Sequence, residues 1–241
     1  MAVITFANTK GGAGKTTAAL LLTTELLHRN YRVCVLDADP QRWFSKWYEG
    51  APLLPRLSVE TYISAPTIQK IVHERRSQWD FVIIDLPGIQ SPLLASAVGL
   101  SDHVLIPIQG SSMDAQGGAQ VLDLLRYLDS KAGIRIPHSV VLSRVNPAIT
   151  TRSMQAVQRL LIEQQIHVLD TPIAERAPFR EMFDLHRPLR KLDSAQTASG
   201  EKAVMNAQAF LNDVLSVVTP GAAQPPAHSA ARRAPVLETA A

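Results

Sequence analysis

The sequence predicts a doubly wound α/β fold, a mostly parallel sheet with helices on both faces. Three observations predict it. Short apolar runs alternate with longer helical patterns along most of the chain. Several of those runs are apolar at consecutive positions, as in strands buried on both faces of a parallel sheet. A glycine-rich segment directly follows the first run, at the place where such a sheet binds ligands.

The elements follow in order. Apolar runs predict strands at Ala2–Ala7, Arg32–Leu36, Leu57–Tyr62, Phe81–Ile84, His103–Ile108, Ser139–Leu142 and Ile166–Leu169. Between them, helices are predicted over Lys15–Arg29, Gln41–Glu49, Thr67–Ser77, Pro92–Val98, Met113–Lys131 and Thr150–Gln165, with one or two more within Asp193–Val218. After Val218 the composition turns to Ala and Pro, with too few large apolar residues to offset the entropy of ordering. The expected organisation is therefore one domain over residues 1–218 and a disordered tail over residues 219–241, where Arg232 and Arg233 read as solvated charges.

Composition narrows the function. The chain has 241 residues, of which 46% are hydrophobic and 19% charged, an ordinary globular balance. Its net charge of +3 permits a nucleic-acid partner without requiring one. The one cysteine, Cys34, cannot form an internal disulfide or a four-thiolate metal site, and reads as a small buried hydrophobe. The N-terminus lacks the layout of a signal peptide, and no apolar run reaches the ~20 residues that span a bilayer. A cytoplasmic location without membrane attachment is expected.

Chemistry concentrates in three segments. The first is Lys10-Gly11-Gly12-Ala13-Gly14-Lys15-Thr16-Thr17, between a strand and a helix. Glycines let the backbone curl its N–H groups toward phosphate oxygens, and the helix that starts there adds the positive end of its dipole. Lys15 is placed to reach the β- and γ-phosphates, and the Thr16 hydroxyl to ligate Mg²⁺. The second segment is Val35-Leu36-Asp37-Ala38-Asp39-Pro40-Gln41, at the end of the second strand. Asp37 and Asp39 lie two apart, so an extended chain turns both to one side. Asp39-Pro40 also suits a turn with Asp39 as a helix N-cap. The third is Phe81-Val82-Ile83-Ile84-Asp85-Leu86-Pro87-Gly88, four apolar residues ending in an acid suited to the Mg²⁺ shell.

The loop departs from the ordinary phosphate-loop pattern. Thr9 stands where that pattern has glycine, and an extra lysine, Lys10, opens the loop. This K-G-G-x-G-K-T form resembles the ParA/MinD family of P-loop ATPases, and the two acidic segments extend the resemblance. Weaker matches follow at Val104–Gln109 with Ser111-Ser112-Met113-Asp114, at Leu142-Ser143-Arg144 and at Ile173-Ala174-Glu175-Arg176. Many larger ParA proteins carry Pro-Arg near positions 174–175, where Ala174-Glu175 stands here.

The resemblance implies binding and hydrolysis of ATP with Mg²⁺ in a homodimer that sandwiches two nucleotides. Residues 10–17 would bind the phosphates, with Arg144 and Ile173 on the base side. Thr16, Asp37 and Asp85 would form the metal shell. Lys10 would cross to the partner's phosphates, and Asp39 would position the attacking water beside Lys15. Sequence features prune the family's branches. Cys34 alone cannot hold an inter-subunit iron–sulfur cluster. The stretch Glu201–Val218 has only Lys202 as a basic residue, unlike a membrane-binding amphipathic helix. The last tyrosine is Tyr127, so a C-terminal tyrosine cluster is missing. An amidoligase-type enzyme usually needs more chain for its substrate.

The remaining branch is DNA segregation. From Lys131 to Lys191 there are ten Lys and Arg against five Asp and Glu. Arg152, Arg159, Arg180, Arg187, Arg190 and Lys191 would bind non-specific DNA if they share one face, and a dimer would double that footprint. The first strand starts at Ala2, so no DNA-binding domain is expected ahead of the loop, as in the small plasmid ParA proteins. That class implies a nucleoid-associated protein whose hydrolysis a small centromere-binding partner stimulates. The other reading is a ParA-like recruitment protein of a conjugative DNA-transfer system. Lys15→Ala is expected to abolish nucleotide binding or hydrolysis. Lys10→Ala is expected to abolish ATP-dependent dimerisation, as read by size-exclusion chromatography with light scattering. A Lys10→Ala protein that still dimerises with ATP would sink the sandwich reading.

Overall fold

The computed structural model describes residues 1–110, 112–146 and 151–218. Seven strands form one parallel sheet: β1 Ala2–Phe6, β2 Val33–Asp37, β3 Leu57–Glu60, β4 Phe81–Asp85, β5 His103–Ile108, β6 His138–Val145 and β7 Ile173–Ala174. Their order across the sheet is β3-β2-β4-β1-β5-β6-β7. The helices are α1 Lys15–His28, α2 Trp43–Gly50, α3 Ile68–Arg76, α4 Pro92–Gly99, α5 Ser112–Ala132, α6 Arg152–Glu163, α7 Ala177–Asp184 and α8 Ala198–Val218.

The consecutive apolar runs behave as their composition dictates. Side chains alternate between faces along a strand, so Ile4, Val35 and Ile83 enter one core while Val3, Leu36 and Ile84 enter the other. Residues of α1, α2, α7 and α8 build the first core. Residues of α3, α4, α5 and α6 build the second. At the sheet's centre, β1 leads into α1 on one face and its neighbour β5 leads into α5 on the other. The chain diverges there, which opens a crevice at the carboxyl edge.

Three elements differ from the sequence expectation. The run Ile166–Leu169 makes only an isolated bridge, Val140 with Val168, and the edge strand is the short β7. Helix α7 was not expected. It starts with Pro178 in its first turn and buries Pro178, Phe179 and Met182, a three-to-four-residue spacing in a segment too short for periodicity to stand out. Helix α2 begins at Trp43, not at Gln41, because the Asp39 carboxylate takes the Gln41 N–H (2.8 Å) and Arg42 adopts a left-handed conformation (φ 54°). The start of the helix expected at Thr150, and the tail over residues 219–241 with Arg232 and Arg233, lie outside the described residues.

The edge of the sheet opposite the crevice holds a buried histidine. His103, 4% exposed at the start of β5, shares a hydrogen bond between Nε2 and the Ser139 hydroxyl (2.9 Å). That hydroxyl also meets His167 Nδ1 (2.9 Å). Burial, with His138 and His167 adding repulsion, lowers the His103 pKa from 6.5 to about 4. The unfolded chain takes up this proton near pH 6.5 and the native protein only near pH 4. Between those values the unfolded state binds more protons, so stability falls as pH drops. The expected loss is on the order of 3 kcal/mol from pH 6.5 to 4, and His103→Leu should flatten it in thermal melts across that range.

Candidate nucleotide site

The loop after β1 turns on Gly12 (φ 80°) and Gly14 (φ 91°), both left-handed. Glycine adopts that backbone without steric cost. Gly14 is the N-cap of α1, with no side-chain cap and no acid in the first turn. The first amides of α1 and its dipole therefore face outward for an anion. Gly88, after β4, closes the loop from one side. A Cβ there would meet the Gly11 amide nitrogen at 2.5 Å.

Lys15 is 5% exposed and donates to the Lys10 carbonyl (3.1 Å). Burial lowers its pKa, while Asp85 and Asp39 act in the opposite direction. Asp85, at the end of β4, is fully buried, and its two oxygens have no hydrogen-bond partner of ordinary geometry. Desolvation pushes its carboxyl up to about 7. Thr16 and Lys15 work against the shift, and Asp37 and Asp39 reinforce it. An orphaned buried carboxylate facing a threonine hydroxyl suits a hard divalent cation with oxygen ligands.

The acids after β2 have distinct surroundings. Asp39 lines the cavity beside the loop. Asp37 is 2% exposed, and its Oδ2 accepts from the Ser45 amide (2.8 Å) and hydroxyl (2.5 Å). Its Oδ1 accepts from the Asp39 amide (3.3 Å). Asp37, expected in a metal shell, is thus engaged by protein donors in this structure. Asp37 ties the start of α2 to β2. Among the described residues, no group of three or more His, Cys, Asp or Glu is arranged to hold a metal.

The cavity has a volume of about 720 Å³. Its phosphate end is formed by Gly11, Gly12, Gly14, Lys15, Thr16 and Thr17. Its far end is formed by Arg144, Ile173, Glu175, Phe179, Arg180 and Phe183. The loop end carries Lys15 and backbone amides, and the other end combines Ile173, Phe179 and Phe183 with charged Arg144, Glu175 and Arg180. Arg144 and Arg180 share one Glu175 oxygen, at 3.2 and 3.3 Å. Lys10 and Ala13 are not among the lining residues; Ala13 contributes a buried carbonyl to the loop.

Several residues that hold the loop were missed in the sequence. Ser143 donates to the Ala13 carbonyl (2.7 Å), and the Gln109 amide donates to the Gly12 carbonyl. Asn8 belongs to the same group, and Ser45 plays the like part for Asp37. None carries a charge, and their partners lie up to 130 residues away, so only the glycine pattern was visible. The segment Ser111–Asp114 falls outside the described residues in whole or in its side chains.

The six basic candidates for DNA lie on elements in two layers of the fold. Arg152 and Arg159 lie on α6, which packs in the second core. Arg180, Arg187, Arg190 and Lys191 lie on or after α7, in the first core's layer. The chain crosses the sheet edge at β7 and splits them. Arg190 also forms a two-bond pair with Glu25 (2.9 and 2.8 Å), which is 2% exposed. It holds α1 to the chain ahead of α8 and is not available to phosphates.

A glycine loop at a doubly wound switch point, with a second lysine at its entry and orphaned Asp85 behind it, defines a P-loop nucleotide-binding protein of the ParA/MinD type. The particular family follows from the chain itself: it belongs to the VirC1 protein family, which matches residues 1–219. It is 31% identical to Protein ParA of Rhizobium radiobacter over 91% of this chain and 98% of that one. Protein virC1 of the same organism is 28% identical over 82% of this chain and 88% of the relative. The fold is shared with a plasmid partition protein of Borrelia burgdorferi solved with AMPPNP (TM-score 0.66, 19% identity, 89% and 98% covered). It is also shared with MinD of Aquifex aeolicus in its complex with MinC (TM-score 0.70, 17% identity, 90% and 96% covered).

Asp85→Asn should raise the stability of the ligand-free protein by about 1–3 kcal/mol above pH 7, where the buried carboxylate is ionised at a cost. The same change should remove the Mg²⁺ dependence of nucleotide affinity. Thermal melts and titration calorimetry with and without Mg²⁺ measure both. A variant whose Mg²⁺ dependence is unchanged would exclude Asp85 from the metal shell.

Proposed function

We propose that this protein is an ATP-hydrolysing DNA-partition ATPase that dimerises on ATP. The single observation that carries the reading is the loop with two lysines, Lys10 at its mouth and buried Lys15 inside, beside Asp39 and Asp85. Residues 11–17 cradle the phosphates through backbone amides, and Lys15 neutralises their charge. Thr16 and Asp85 would hold Mg²⁺, which would supply positive charge to the phosphate oxygens. Asp39 orients the attacking water. Lys10 reaches into the second subunit and supplies in trans the positive charge that an arginine finger supplies elsewhere. Hydrolysis is thereby coupled to association. Arg144, Ile173 and the aromatic wall of α7 receive the base.

The partition role draws support from the relatives named for ParA and for plasmid partition. In this reading the dimer binds DNA phosphates without reading bases. Arg180, Arg187 and Lys191 in one layer, and Arg152 and Arg159 in the other, flank the sheet edge at β7 and are the exposed cations proposed for this contact. A small centromere-binding protein stimulates turnover, and the protein is nucleoid-associated in the cytoplasm. Among the described residues no helix is long and apolar enough to cross a membrane.

A second reading is favoured by the VirC1 family match: a recruitment protein of a DNA-transfer system. Measuring ATP turnover alone, with DNA, and with DNA plus the product of the adjacent gene separates the two. The partition reading expects stimulation by DNA and partner together. It also expects DNA binding that requires ATP and weakens steeply with salt. Binding that is ATP-independent and salt-insensitive would overturn it, and slow turnover indifferent to either addition would favour recruitment.

A further inference from the structure

The main chain just ahead of the phosphate loop is held by more contacts than a connecting loop needs. Asn8 is 1% exposed and joins two elements. Its Nδ2 donates to the Pro107 carbonyl of β5 (2.7 Å), and its Oδ1 accepts the Lys10 N–H (2.8 Å). The Lys10 carbonyl is taken by Lys15 Nζ (3.1 Å). Both backbone polar groups of Lys10 are thus fixed by side chains.

Helix α5 closes the third side. The Thr9 N–H and hydroxyl both donate to the Gly117 carbonyl, at 3.4 and 3.2 Å. The hydroxyl also meets the Gln120 side chain. Gly117 has no space for a side chain. A Cβ would collide with Asn8 Oδ1 and approach Lys10 Cβ and N at 2.9 and 3.0 Å. Glycine inside a helix costs about 1 kcal/mol relative to alanine, so its presence in α5 needs a reason. Here the helix lies directly on the backbone of Lys10. Gly118, which has no room against Ile108, extends the same close approach onto β5.

We propose that Asn8 and Gly117 are positioning residues for Lys10. They seat its backbone against α5 and so fix the point from which its side chain leaves the loop before nucleotide binds. This rests on the reading of Lys10 as the lysine that acts in trans. Neither residue lines the nucleotide cavity. Their effect therefore falls on association and turnover and not on nucleotide affinity. Thr9 has a place in the same device. A glycine there would forfeit the hydroxyl that ties the strand end to α5.

The test compares Asn8→Ala, Gly117→Ala and Lys10→Ala in the full chain. Three readouts apply: ADP affinity by calorimetry, ATP-dependent dimerisation by light scattering, and kcat against KM for ATP. Misplacement by about 1 Å can cost about 100-fold in rate. Asn8→Ala and Gly117→Ala are expected to lower kcat by about 10- to 100-fold and to weaken dimerisation in parallel, with ADP affinity and KM within about threefold. Asn8→Asp, which keeps the acceptor for the Lys10 N–H but sets an oxygen against the Pro107 carbonyl in place of the donor, should not recover the loss. Wild-type dimerisation and kcat in Asn8→Ala and Gly117→Ala, with Lys10→Ala defective, would overturn the positioning role and leave the trans lysine standing. A Lys10→Ala protein that dimerises and turns over normally would instead remove the reading beneath it. A loss of ADP affinity equal to the loss of kcat would also overturn the proposal, since general damage to the loop moves both together.

Discussion

A phosphate loop must leave its amides free for the ligand while its carbonyls are satisfied by something else. An unpaired buried carbonyl costs free energy comparable to a lost hydrogen bond, which bears most on Ala13, the buried residue of the turn. The structure solves this with side chains from separate elements. Lys15 from α1 takes the Lys10 carbonyl, Gln109 after β5 takes that of Gly12, and Ser143 of β6 takes that of Ala13. The three neighbours come from the centre and one flank of the sheet, so the strand order sets the shape of the cradle.

The same economy of position governs charge. Asp37 and Asp85 end neighbouring strands and are directly paired in register. Two carboxylates this close are tolerable because they are treated differently. Ser45 gives Asp37 two hydrogen bonds, while Asp85 keeps none of ordinary geometry and is held nearer neutrality by burial. One acid becomes a strut for α2, and the other remains available to a cation. Lys15, its ammonium desolvated in the same pocket, is the counterpart of that available charge.

Legibility in the sequence followed the range of the interactions. The expected strand segments fall on six of the seven strands; in β1, β2, β4 and β5 burial on both faces gives near-continuous apolar runs, while β3 is a half-buried edge strand. The seventh was misplaced, since Ile166–Leu169 has strand composition and little to pair with beyond Val140. The glycines, Lys15, Thr16 and Asp39 were readable because their chemistry is local and compact in the chain. Asn8, Gln109, Ser143, Ser45 and Gly117 were not. Each is an ordinary residue whose role comes from a partner that the fold brings near. The basic residues show the reverse failure: a charge count along the chain treats as neighbours residues that the sheet separates, and it cannot see that Arg190 is spent on Glu25.

The sequence by itself determined the fold class, the order of most elements, and the presence of a two-lysine phosphate loop followed by acids at strand ends. These depend on residue type and spacing over a few turns of chain, and backbone sterics and burial translate them directly. Only the tertiary structure decided which acid is engaged by protein and which is orphaned, what fills the carbonyls of the loop, where the basic residues face, and that α5 rests on Lys10. Those outcomes depend on contacts between segments that may be a hundred residues apart, and no local pattern encodes the distance between them.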